Sequence, residues 1–210
     1  MVHGGIQKLR QYMREEWENS AAQWTARERV ILYDEVRPML CGAVCRWAGV
    51  PLLDGEVHCR TDDLTAMFQF AGSVGLKHLR AIIARQRAEK WTADLVGQVR
   101  AGAIDFQSDA AAFKIATHRD HNGATVDRQI AAVEILNILQ PVVAISVFIV
   151  FAALALHEHP EVAVGLEEGA DPLMFVQEVR RLIRFFRPWR HVCGRISTGK
   201  VLSFSTGPPG

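Results

Sequence analysis

Four sets of residues have types and spacings that could do chemistry. Gln140 and Pro141 sit inside a run, Ile135 to Leu156, that carries no charged side chain. Around them Glu134, Asn137, Pro141 and Ala144 recur at i, i+3, i+7 and i+10, which draws one polar and small-residue ridge along an otherwise apolar rod. Polar groups inside a core cost free energy unless paired. Such a ridge therefore faces a cavity or a cofactor, or it belongs to a kinked helix with one buried, hydrogen-bonded Asn; periodicity leaves both open. Glu178 and Arg181, at i and i+3, are spaced for an ion pair, and an exposed one is the default reading. Cys41 and Cys45 share a helical face, where buried small thiols are the simpler reading, because two ligands make no metal site. His118, Asp120 and His121 have ligand chemistry but no spacing that fixes a geometry, so an exposed turn is preferred and no metal is expected.

The elements that must position these residues read as helix after helix. Ile6, Leu9, Met13, Trp17, Ala21 and Trp24 form one apolar stripe, the mark of a core-facing amphipathic helix. Val30 to Tyr33 reads as a brief extended piece, and Asp34 then caps a helix that tolerates Pro38 and stops at Gly49, just before Pro51. Asp62 or Asp63 starts a short helix through Phe70, ended by the Gly72 to Gly75 turn. A longer helix follows with Leu79, Ile82, Ile83, Ala88, Trp91, Leu95 and Val99 on its buried side and Gly102 at its exit. Ser108 begins another, and Asp120 to Val126 is a polar turn built on Asn122-Gly123.

Composition bounds the function classes. The chain has 210 residues, 49% hydrophobic and 22% charged, with a net charge of +1, which excludes a disordered or strongly nucleic-acid-binding class. Lys77, Arg80, Arg85, Arg87 and Lys90 make one helix basic, but no interleaved aromatics accompany them, so a solvated face is expected and no nucleic acid. The start at Met1 shows no secretory pattern, and four cysteines without a CxxC pair fit a reducing, cytoplasmic setting.

A helix over Val126 to Pro160 would rise well over ~30 Å, enough to cross a domain or a bilayer. Asn137 and Gln140 in its first half, Pro141, and a far end at His157-Glu158-His159-Pro160-Glu161 without a basic anchor all count against a membrane span. The preferred reading is a helix buried on all sides within an all-helical domain.

The stretch VEILNILQPVVAIS, followed by FAALALHEHPE and FVQEVRR, resembles the central helix and the ExxR helix of the cytochrome P450 superfamily. It is similar in particular to the branch of hydrogen-peroxide-dependent fatty-acid hydroxylases, the peroxygenases. REEW near the start, CRWAGVPL at Cys45 to Leu52 and RQRAEKW at Arg85 to Trp91 agree in the same order. The resemblance covers roughly Leu9 to Arg181 and implies the central part of that fold: mainly α, a long buried central helix, then the ExxR helix, with little or no sheet. It implies a P450-like helical domain at 1–181 and a divergent C-terminal tail at 182–210.

It also implies roles. Haem is the cofactor, and the central helix passes over its distal face, which puts Asn137 and Ala144 toward the haem and Gln140 and Pro141 at the catalytic position. Glu178 and Arg181 become the buried pair of ExxR that holds the haem-proximal core. The substrates implied are a fatty acid and hydrogen peroxide, with no dedicated partner protein. In the peroxygenase branch an Arg-Pro pair stands at the kink, and its arginine binds the fatty-acid carboxylate, which serves as the general acid and base that splits peroxide. Here Gln140 replaces that arginine. An amide donates a hydrogen bond but brings no charge and no bidentate fork, so anchoring weakens by about 1–3 kcal/mol.

A haem-thiolate protein also needs a cysteine ligand in a glycine-containing loop well after ExxR. Cys193 in RPWRHVCGRIS lies too near that helix and lacks the loop's Phe and Gly context, while Phe185 and Phe186 are the only echoes of the expected turn. The expectation is a partial or frame-shifted chain without the ligand loop. Two other readings stay open, a single-span membrane protein and a non-catalytic helical binding module.

Overall fold

The computed structural model describes residues 2–70, 72–104 and 108–185. Among them run α1 (Val2–Trp24), α2 (Leu32–Ala48), a 3-10 turn (Asp54–Glu56), α3 (Val57–Gln69), α4 (Leu76–Arg100), α5 (Ala111–Ala116), α6 (Arg128–Ala144), α7 (Ser146–Glu158), α8 (Pro160–Glu167) and α9 (Pro172–Phe185). No strand occurs among the described residues, and an isolated antiparallel bridge joins Arg119 to Thr125. The mainly α expectation holds. Cys193, Phe186 and most of the 182–210 tail lie outside the described residues, and α9 runs four residues past Arg181.

Local chemistry explains four of the helix ends. Gly49 adopts φ 76° and Val50 N–H donates to the Cys45 carbonyl at 2.8 Å, a left-handed stop that only glycine takes without strain. Gly102 ends α4 in the same way at φ 66°, with Ala103 N–H donating to the Gln98 carbonyl at 3.0 Å. Asp127 Oδ1 accepts from Gln129 N–H at 2.7 Å, and Asp171 Oδ1 accepts from Leu173 N–H at 2.9 Å, which caps α6 and α9.

Several starts differ from expectation. α2 begins at Leu32, inside the piece expected to be extended, with Asp34 and Glu35 in its first turn where they favour the helix dipole. α3 begins at Val57, ahead of Asp62 and Asp63, and α5 begins at Ala111.

The chain groups into two units, residues 1–20 with 37–144 and residues 21–36 with 145–210. In the first unit α6 packs against α3, α4 and α5, around Cys41, Val44, Cys45, Leu64, Val96, Ile135, Leu139 and Val143. In the second, α7 packs on α8 and α9, and Glu35 accepts from Trp24 Nε1 at 3.1 Å and from Arg27 at 2.6 Å.

Three expected faces are corrected. Among the described side chains of α1 none enters the buried core, and Ile6 and Trp17 are exposed. In the first unit α1 is held by polar contacts instead: Trp47 Nε1 donates to the Gly5 carbonyl at 2.8 Å, and Arg46 pairs with Glu15 at 2.7 Å beneath the Tyr12 ring. On α4 the buried side of the first turns is Ala81, Ala84 and Ala88, while Leu79, Ile82 and Ile83 remain 50%, 40% and 43% exposed. A helix wedged against two neighbours approaches most closely through alanines, so small size outranks hydrophobicity there. The 128–158 run is long and apolar enough to cross a membrane, yet 28% of its most apolar window is buried, so it is not covered on all sides as expected.

Asp63 is 3% exposed, and its carboxylate accepts from Arg87 Nε at 3.0 and 3.2 Å and from Arg87 Nη2. Both oxygens are engaged by one guanidinium, which ties α3 to α4 and holds Arg87 firmly in its charged form, through the hydrogen bond first and the charge second. Arg87→Ala leaves a buried carboxylate uncompensated and should lower unfolding stability by about 2 kcal/mol, under the range for fully buried pairs because Arg87 reaches water. Asp63→Asn, which removes the charge itself, should cost less. Urea unfolding midpoints of the two variants test that order.

Candidate functional site

α6 carries the residues singled out by their chemistry. Its start is latched to α4: Arg128 Nε donates to the Ala93 carbonyl at 2.7 Å, and Nη2 donates to Asp94 Oδ1 at 2.8 Å. The guanidinium crosses α4 at Gly97, where an added Cβ would come within 3.1 Å of it. With the helix fixed there, Ala131, Ala132, Ile135, Leu136, Leu139 and Val143 are buried. Arg100 closes the far side by donating to the carbonyls of Ala116 at 2.8 Å and Val126 at 2.7 Å.

The opposite side of α6 is bare. Glu134, Asn137 and Pro141 are exposed, and Gln140 and Ala144 are half-buried. The structure therefore brings Asn137, Gln140, Pro141 and Ala144 together on one strip about 10 Å long, at 1.5 Å per residue. Neither the Asn137 nor the Gln140 amide has a hydrogen-bond partner among the described residues. Pro141 lacks an N–H, so the Asn137 carbonyl loses its helical donor. The ladder is interrupted at Ile145, and the Ser146 hydroxyl beyond it is buried without a partner among the described residues. The strip thus offers two free amides, a carbonyl and a small apolar surface to whatever lies against it. Its charged side chain, Glu134, is an anion and cannot hold a carboxylate.

The other candidates are placed as follows. Cys41 and Cys45 are fully buried on α2, and the hydrogen bond that the Cys45 thiol donates to Cys41, with burial second, holds Cys45 well above the usual range, while the same bond lowers Cys41. Cys59 is exposed and donates to the Glu56 carbonyl at 3.1 Å. His118, Asp120 and His121 lie in an exposed turn, where Asp120 Oδ1 accepts from the N–H groups of Asn122 and Ala124 at 2.8 and 2.9 Å. Among the described residues no group of three His, Cys, Asp or Glu side chains could hold a metal ion.

Glu178 and Arg181 do meet, with Nη2 to Oε2 at 2.8 Å and Nε to Oε2 at 3.0 Å, but the two side chains are 58% and 69% exposed. The geometry is that of a surface pair within one helix, whereas the P450 resemblance implies a buried one.

A haem placed against this chain would find half of what it needs among the described residues. The strip from Asn137 to Ala144 is open to whatever lies against it, with a small side chain at Ala144, and its amides have no partner among the described residues. The iron's thiolate is not offered among them, since Cys41 and Cys45 are buried in the helical core and Cys59 is engaged on α3. The Asp63–Arg87 pair and the Arg128 latch escaped sequence reading because their partners lie 24 and 34 residues apart, with no local pattern to join them.

No family model matches the chain. Solved structures do. Cytochrome P450SP alpha in complex with (R)-ibuprofen is 40% identical, with a TM-score of 0.81 over 86% of this chain and 45% of that one. Cytochrome P450EX alpha, wild-type with myristic acid, is 37% identical at a TM-score of 0.81, over 86% and 44%. Cytochrome P450 OleT, ligand-free, is 24% identical at 0.80 and supports the fold alone. The resemblance to the peroxygenase type of cytochrome P450 is thereby shown, and the architecture is that of the helical part of the P450 fold. The chain spans about 45% of the length of the structures it matches.

An exposed intrahelical pair contributes little. Glu178→Ala should change unfolding stability by less than about 1 kcal/mol, and the change should shrink in high salt. Denaturant melts at two ionic strengths measure it.

Proposed function

We propose that this chain supplies the distal, substrate-facing helices of a haem-thiolate fatty-acid hydroxylase that uses hydrogen peroxide, in a cytoplasmic setting. The observation that carries the reading is the bare strip of α6. Asn137, Gln140, Pro141 and Ala144 lie side by side and without partners, in a chain whose solved relatives at 37–40% identity are cytochromes P450, one of them with myristic acid bound. Haem, when bound, supplies the oxidising chemistry.

The chain's own residues do the positioning. Asn137 and Ala144 would hold the haem's distal side, where the small side chain of Ala144 would leave it room. Pro141 frees the carbonyl of Asn137 and ends regular pairing near the reacting centre. Gln140 donates its amide N–H to the fatty-acid carboxylate, one neutral hydrogen bond where an arginine would give two charge-assisted ones. The carboxylate held there carries the proton transfers that peroxide cleavage requires, so the group that anchors the substrate also determines where acid–base catalysis happens.

The test joins this chain to the cysteine-ligand half of cytochrome P450SP alpha, with haem supplied. The expected result is a thiolate-type Soret band for the reduced carbon monoxide complex and peroxide-dependent oxidation of myristic acid. A folded chimera without that band would overturn the proposal. In the same chimera Gln140→Arg should raise turnover of myristic acid about tenfold or more, at ~1.4 kcal/mol per factor of ten. Unchanged or lower turnover would remove Gln140 from the substrate's carboxylate.

A further inference from the structure

The first turns of α4 and the residues before it are two-faced in an unusual sense. Ala81, Ala84 and Ala88 are buried, and the opposite side carries Leu76, Leu79, Ile82 and Ile83, all exposed, with Val74 exposed just ahead of the helix. At 100° per residue these four aliphatic side chains fall within one continuous sector of the helix. Arg80 and Arg87 border that sector on one side and His78 and Arg85 on the other, with Lys90 following along its length. Between Val74 and Lys90 five Lys and Arg side chains stand against one carboxylate, Glu89, although the whole chain is close to neutral at +1.

A solvated helix face does not carry four large aliphatic residues, and a protein core does not border itself with cations. An apolar centre flanked by basic side chains is the composition of a helix that lies in the plane of an anionic bilayer surface, its aliphatic groups among the acyl chains and its cations at the phosphates. The cations are oriented for it in different degrees. Arg80 stacks over the Phe70 ring at 5.6 Å, and Lys90 is exposed with no hydrogen bond or ion pair among the described residues. Arg85 is partly engaged by Glu89 at 2.7 Å, and Arg87 by Asp63. Nucleic acid fits less well, because the centre of the patch is aliphatic and offers no aromatic surface for bases.

We propose that the exposed face of α4 from Leu76 to Ile83, with Val74, docks the protein peripherally on an anionic phospholipid surface, with Arg80 and Lys90 making the headgroup contacts. The inference is independent of the haem reading of α6. It also differs from a membrane span through residues 128–158, because it places only the rim of one helix in the interface.

The test is co-sedimentation of the full chain with vesicles of phosphatidylcholine alone or mixed with phosphatidylglycerol, at low and high salt. Binding is expected only with phosphatidylglycerol and should fall at least tenfold as salt rises. The variant Arg80→Gln/Lys90→Gln should weaken binding about tenfold or more, and Leu79→Ser/Ile83→Ser by a similar factor, with helix content by circular dichroism unchanged. Lys114→Gln, a cation exposed on α5, should leave binding as it was. Equal binding to neutral vesicles, or binding that neither double variant weakens, would overturn the proposal and favour insertion through 128–158. Binding to duplex DNA in place of vesicles, or no binding to either, would overturn it as well.

Discussion

The burial of one side of α6 against α3 and α4 is the constraint on which the first unit depends. Ile135, Leu139 and Val143 are fully buried there, each worth about 1.5–3 kcal/mol. The contact can form only if α4 presents small residues, so Ala84 and Ala88 face inward and the larger aliphatics of the same helix are turned out. It also needs the register of α6 fixed, which Arg128 does from its first residue by reaching across Gly97 to the Ala93 carbonyl. What remains is an apolar helix with neighbours on one side only, and its bare side holds the residues with chemistry.

The two sides of that helix illustrate how order and function separate. Its buried side is satisfied: an aspartate cap, an arginine latch and aliphatic packing. Its bare side has amides without partners and a proline that withdraws a backbone donor. Local rules are obeyed where the helix is only structural and broken around Asn137 to Pro141, which is the pattern expected where a site rather than a core has shaped the sequence.

Much of this was legible in the chain itself. Helix existence, the glycine stops at Gly49 and Gly102, the Asn122-Gly123 turn and the α6 ridge follow from short-range chemistry, and the ordered motifs named the P450 resemblance that the solved structures bear out. The misread parts depend on long-range packing. Leu79, Ile82 and Ile83 look like core by hydrophobicity, but α4 is wedged between two helices and alanine wins the contact. The α1 stripe has the correct period, yet Ile6 and Trp17 stay exposed and Trp47 reaches the Gly5 backbone instead. A pattern states that one face is apolar; it does not state what covers it.

The placement of the thiols has a consequence for the chain's durability. On the proposed function the protein works beside hydrogen peroxide, which oxidises cysteine through its thiolate and in proportion to its exposure. Cys41 and Cys45 are sealed in the core, so peroxide has no path to either thiol, and Cys45 is in addition held protonated by the hydrogen bond it donates to Cys41. Cys59 alone among the described cysteines faces water. Among the described thiols oxidation would therefore begin at the rim of α3, away from the helix core, and the packing beneath α6 would outlast it.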